Sequence, residues 1–192
     1  MDNSERMKRF QIKNEIESQC MGLIDEKIDR YLEIEHQGII GGHHFASASS
    51  ECIYLYRDGY FIATVMMSHA INEGIIKFVA DRNDIKRQKE DNKEKNIEEL
   101  INELQEKGYI SPDCANASKE IWKSYRNDVH HMNPTVVVIP FKELAKRNIK
   151  HLSTIEKEIF SFHINNGIMV LHQPRYWDIK SNDTTATFLR LE

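Results

Sequence analysis

The sequence predicts an all-α protein, an antiparallel helical bundle, and three observations lead there. Hydrophobic residues make up 40% of the 192 positions and charged ones 29%, while Gly and Pro number only 8 and 4. That balance suits charged helices and supplies few of the turns that a sandwich or barrel needs. Apolar residues also recur three and four apart over several long segments joined by short connections, which is the pattern of a bundle. The length is enough to bury a core without disulfides or metal, so a single helical domain over 1–192 is expected.

The elements follow in order. From Ser4 to Tyr31, Met7, Phe10, Ile16, Leu23, Ile24 and Ile28 recur at roughly helical spacing, predicting one long or broken helix. Gly38 to Ser50 concentrates Gly, Ser and the adjacent His43 and His44, which cannot sustain a period and predict a loop. Glu51 to Val79 is the most apolar long segment and predicts the central core helix. Asp81 to Lys95 mixes both charge signs with almost no apolar residue, as a solvated helix extension or a linker does. Asn96 to Lys107 resumes the helical period, and Gly108 sits where a helix end needs a positive φ.

After Ser111-Pro112 a further helix should start between Asp113 and Ser118, carry Ile121, Trp122, Tyr125 and Val129 inward, and end near His131. It stops there because Asn133, preceding Pro134, is biased away from helical angles. Thr135 to Pro140 is β-branched and reads as extended. Phe141 to His163 is helical again, and Asn165-Asn166-Gly167 turns the chain before Ile168 to Leu171, a short C-terminal strand or half of a hairpin.

The longest apolar stretches, Val136–Ile139 and Ile168–Leu171, fall far short of the roughly 20 residues that cross a bilayer. Met1 to Arg9 lacks the apolar centre of a secretory signal, so a cytoplasmic protein without a membrane partner is expected. Cys20, Cys52 and Cys114 are odd in number, far apart and without CxxC spacing, which points to reduced thiols and not to a disulfide framework or zinc knuckle. A formal charge of −4 excludes bulk electrostatic coating of nucleic acid and leaves room for a local basic face.

The chemistry concentrates in Tyr125 to Pro134. Arg126, Asn127, His130 and His131 place a permanent cation and two imidazoles within two turns of a predicted helix. Arginine offers a planar fork of donors suited to phosphate, and histidine trades a proton near neutrality. Phosphodiester cleavage needs both, one to stabilise charge at phosphorus and the other to move protons at the attacking and leaving oxygens. At about 100° per residue, His130 lies on the face of Arg126 and His131 lies well around the helix. Two copies meeting about a two-fold axis would let Arg126 of one converge with His131 of the other.

Arg126, the polar Asn127 and His131 resemble the R-polar-x3-H form of the Rx4-6H motif of HEPN domains, many of which are RNases. The apolar segment Tyr54 to Phe78, with the acidic Glu73, is similar to their early helix, and the resemblance covers about 51–163, leaving 164–192 as an extension. It implies a HEPN-type bundle that forms a homodimer and cuts RNA without metal or cofactor, leaving cyclic phosphate ends. Arg126 would hold the phosphate, His131 act as acid or base, Asn127 orient them, and Glu73 orient Arg126. Such enzymes serve prokaryotic toxin–antitoxin or phage-defence systems, so an antitoxin partner is implied. Some antitoxin-regulated members continue the motif as H-x-Y, with the tyrosine modified by a nucleotidyltransferase; here Met132 and Asn133 follow His131, a departure from that form of control.

Other readings stand beside these. An Arg and two His at a helix end also complement the helix dipole without any catalytic purpose, and some HEPN-like domains only bind nucleotides, RNA or partners. His69 and Glu73 form either an intrahelical pair or two ligands of an incomplete metal site. His43-His44 would join His130 only in a metal cluster lacking a recognisable third group. Lys142, Lys146 and Lys150, with Arg147 and His151 beside them, form either a solvated face or a phosphate track for RNA. Tyr176 and Trp177 either stack on bases or belong to the core or a dimer contact.

Overall fold

The computed structural model describes residues 2–41, 45–89 and 93–177, together with the backbone of 188–189. It is mainly helical with small antiparallel strand pairs. The helices are α1 (Asn3–Gly22), α2 (Ile24–Leu32), α3 (Ala46–Arg57), α4 (Phe61–Arg82), α5 (Ile97–Glu106), α6 (Pro112–Lys123), α7 (Arg126–His131) and α8 (Phe141–Ile159). Strands β1 (Ile39–Ile40) and β4 (Phe188–Leu189) pair, as do β2 (Phe162–Asn165) and β3 (Ile168–Leu171).

The centre is α4, which packs against α3, α5, α6, α7 and α8. Its Val65, Ile71, Ile75, Ile76 and Val79 are all buried, as befits a helix surrounded on most sides. The expected single helix over Glu51–Val79 is in fact two, and α3 begins at Ala46, inside the segment expected to be a loop. Gly59 (φ +87°) makes the break: its N–H bonds Tyr56 O and the Tyr60 N–H bonds Leu55 O. This is the Schellman pattern that ends a helix at a left-handed residue. An apolar run on both sides of Asp58-Gly59 hid the stop from periodicity. Gly108 ends α5 through the same two bonds, and Asn96 starts it with a reciprocal cap to Glu99.

The first expected helix is broken at Leu23 into α1 and α2. Beyond α4, the charged segment from Asn83 to Lys95 is a linker among its described residues. Thr135–Pro140, expected to be extended, is so only at Ile139. Residues Pro134–Val138 form a 3-10 turn with Val137 and Val138 in solvent, since among the described residues no strand lies beside the β-branched run for it to join.

The last helix stops at Ile159, earlier than expected, and 162–165 enter a hairpin. Asn166 and Gly167 both take positive φ there, as a two-residue type I′ turn demands. Tyr176 and Trp177 are buried, Trp177 edge-on to Phe160 and Phe162, and so are core residues unavailable for stacking on bases. Among the described residues no helix is long and apolar enough to cross a membrane.

Candidate active site around the motif helix

The helix expected to run through to His131 is interrupted. α6 ends at Lys123 with Ser124 as its cap, Tyr125 takes a left-handed conformation (φ +55°), and Arg126 becomes the first residue of the separate six-residue α7. Tyr125 is therefore turned outward, against expectation, while Ile121 and Val129 are buried. Met132 ends α7, also left-handed (φ +49°), with the Asn133 N–H bonded to Asp128 O. Asp128 Oδ1 accepts from the Thr135 hydroxyl at 2.6 Å, tying α7 to the following turn and holding the Asp128 carboxyl below the usual range.

From this position Arg126 reaches back to the bundle. Its Nη2 lies 3.3 Å from Glu73 Oε2, and its guanidinium sits 4.3 Å from the centre of the Trp122 ring. Glu73 is shared, since Lys77 Nζ lies 2.8 Å from its other oxygen. The Arg126 Nε is buried and lacks a hydrogen-bond partner among the described residues. Arg126 and Asn127 open onto a depression of about 300 Å³, also lined by Trp122, Lys123 and Tyr125.

The two histidines differ. His130 Nε2 lies 3.3 Å from Nδ1 of His69, a buried residue of α4. The Ser124 hydroxyl donates to Ile121 O at 2.6 Å and accepts from the Asn148 amide at 3.1 Å, so at 2.9 Å it receives the N–H of His69 Nε2. His69 Nδ1 is then a lone pair that accepts from His130, which fixes the His130 proton on Nε2 and leaves its Nδ1 to exchange protons. Burial first, and then the charge of His130, pushes His69 down to about 4. His130 is also lowered, by burial and then by the charges of Arg126 and His131, against an opposing pull from Glu73. His131 and Asn127 are exposed and make no side-chain hydrogen bond or ion pair among the described residues.

His69 and Glu73 do not pair with each other as expected. One turn apart on α4, they diverge because Ser124 lies beside the first and Arg126 beside the second. Among the described residues no group of three His, Cys, Asp or Glu side chains stands ready for a metal, and His43 and His44 lie outside those residues.

The basic stripe also turns elsewhere. Lys146 pairs with Glu33, the residue that caps α2, at 2.9 Å and Lys142 lies 3.8 Å from it, which holds the Glu33 carboxyl below its usual range. Lys150 lines a depression with Lys146 and Lys157, and Arg147 is exposed. Asn148, roughly 200° around α8 from Lys146, bonds Ser68 and Ser124 beneath the motif. The three lysines thus face α2 and solvent, away from Arg126.

The seam of Ser68, His69, Ser124 and Asn148 escaped the sequence reading. Its signal was present: Ser68, His69 and Asn72 interrupt the apolar α4, and Asn148 interrupts the apolar face of α8. Comparison of the chain with protein-family models, curated proteins and solved structures finds no match. The resemblance to HEPN domains accordingly rests on the motif residues and the helices around them.

Proposed function

We propose that this protein is a HEPN-type endoribonuclease, a homodimer of a prokaryotic toxin or phage-defence system that cleaves RNA by acid–base transesterification without metal. The observation that carries the reading is Arg126 held by Glu73 and Trp122 at the head of α7, with His131 unengaged at its tail. A ribose 2′-hydroxyl would attack the adjacent phosphorus while a histidine takes its proton. Arg126 would stabilise the charge on the pentacoordinate phosphorus, and a second histidine would protonate the departing 5′-oxygen. The products are a 2′,3′-cyclic phosphate and a 5′-hydroxyl. His131 does not line the depression at Arg126 of its own chain, which favours Arg126 of one copy working with His131 of another. Asn127 would orient the phosphate; Lys142, Lys146, Arg147 and Lys150 would add long-range attraction for RNA and not a track into the site.

A second reading, a noncatalytic nucleotide-binding or interaction module, is favoured by the engagement of His130 with His69. One experiment separates them. The purified protein should cleave single-stranded RNA in EDTA and leave cyclic phosphate ends. Arg126→Ala and His131→Ala should each slow cleavage by about a hundredfold or more, and His130→Ala by less. A folded dimer that binds RNA or nucleotides and never cleaves would establish the module instead.

A further inference from the structure

Tyr125 forgoes burial and takes a strained turn to do so. In a continuous helix it would lie one turn beyond Ile121, which is wholly buried, and its ring would enter the core. Instead the backbone bends at Ser124 (φ −75°, ψ +71°), the Tyr125 N–H bonds Lys123 O, and Tyr125 itself is left-handed (φ +55°, ψ +27°). A bulky aromatic residue rarely adopts that conformation, and strain of this kind gathers where a side chain is needed in a particular place. The ring that results is 47% exposed and makes no hydrogen bond or ring contact among the described residues. It lines the depression of about 300 Å³ beside Trp122, Arg126 and Asn127, a volume at the small end of ligand sites, with room for one base and its sugar. The Arg126 guanidinium covers Trp122 at 4.3 Å from the ring centre. Lys123 is taken by Glu98 at 2.9 Å and Asp128 by Thr135 at 2.6 Å, whereas the Asn127 side chain makes no bond among the described residues. The depression therefore offers one aromatic face, one guanidinium and one amide. A stacking ring beside a phosphate-binding cation is the complement of an unpaired nucleotide.

We propose that this depression is a subsite for one unpaired nucleotide of single-stranded RNA, its base stacked on Tyr125 and its phosphate turned to Arg126. The assignment rests on the reading of Arg126 as the residue that holds a phosphate, and it adds a selection that the arginine cannot make. A base inside a duplex is already stacked and paired, so only a single strand can lay one on this ring. Every base has a π-face, which makes Tyr125 a reader of strandedness and not of sequence. The lysines of α8 make no such choice, because they attract the phosphates of either form.

The test measures binding apart from cleavage, using the full chain and a 2′-O-methyl RNA oligonucleotide, which has no free 2′-hydroxyl to attack, offered as a single strand and as a duplex. Tyr125→Ala should weaken binding of the single strand about tenfold and leave binding of the duplex unchanged. Tyr125→Phe keeps the ring and should bind the single strand as the wild type does. Tyr125→Gly removes the ring and eases the left-handed turn, so it should lose the same single-strand affinity while unfolding in no less urea than the wild type. A wild type that binds no single strand, a Tyr125→Ala variant that binds it undiminished, or equal losses on strand and duplex would overturn the proposal. The expected pattern in a protein that never cleaves RNA would uphold the subsite and remove the ribonuclease reading. Undiminished binding and cleavage by Tyr125→Ala would remove the subsite and leave the ribonuclease reading intact.

Discussion

Beneath α7, polar side chains occupy places where apolar ones are the rule; along α1, apolar side chains occupy places where polar ones are. His69, Ser124, Ser68 and Asn148 are all buried, and hydrogen bonds among them and to nearby carbonyls engage every side chain. The exception is the Asn148 Oδ1, buried without a hydrogen-bond partner among the described residues. Among the described residues nothing buries Met7, Phe10 or Met21 in the same way. The difference is one of completeness. Buried polar groups that satisfy each other stabilise the fold, whereas each large apolar side chain left in solvent along α1 forgoes a favourable burial.

The sharpest way to break this contrast is pH. His69 is held at about 4 against an ordinary 6.5, so acid protonates the unfolded chain first. The stability derived from a neutral His69 is complete above pH 6.5 and drains away as pH falls to about 4, on the order of 3 kcal/mol in total. Urea unfolding of the wild type and of His69→Gln across that window should show the gap between them closing by that amount. A gap that stays constant with pH would mean that the seam does not hold His69 neutral.

A smaller effect belongs to the edge of the seam. Met132 turns the end of α7 in a left-handed conformation that glycine adopts without the clash of a Cβ. Met132→Gly should therefore raise unfolding stability by about 1 kcal/mol, read from the same curves; a loss would show that the methionine side chain contributes more than its backbone costs. The smallest effect falls on the arm. At concentrations where the protein is monomeric, Met7→Ala and Phe10→Ala should each change stability by less than about 0.5 kcal/mol, and a cost near that of a core truncation would place α1 against the bundle.

Much of the frame was legible where a residue type alone dictates geometry. Asn96 and Gly108 bounded α5, and Asn166-Gly167 turned the terminal hairpin. Breaks decided by tertiary context were not. Nothing in a tyrosine announces the left-handed turn at Tyr125, and Gly59 was masked by apolar residues on both sides. The same holds for the site. Arg126 and the two histidines stood out as residue types, and the acidic residue of α4 was named with them. That His130 is held while His131 is free depends on His69 turning to Ser124, which lies 55 residues away in sequence.

The two left-handed residues that bracket α7 have a consequence for how such a protein changes over generations. Six residues fix the spacing of Arg126, Asn127, His130 and His131 as cargo, while Tyr125 and Met132 set where that cargo points. Substitutions at those two hinges would re-aim the whole group without altering any member of it. Divergence in where the motif points can therefore begin outside the motif, at Tyr125 and Met132.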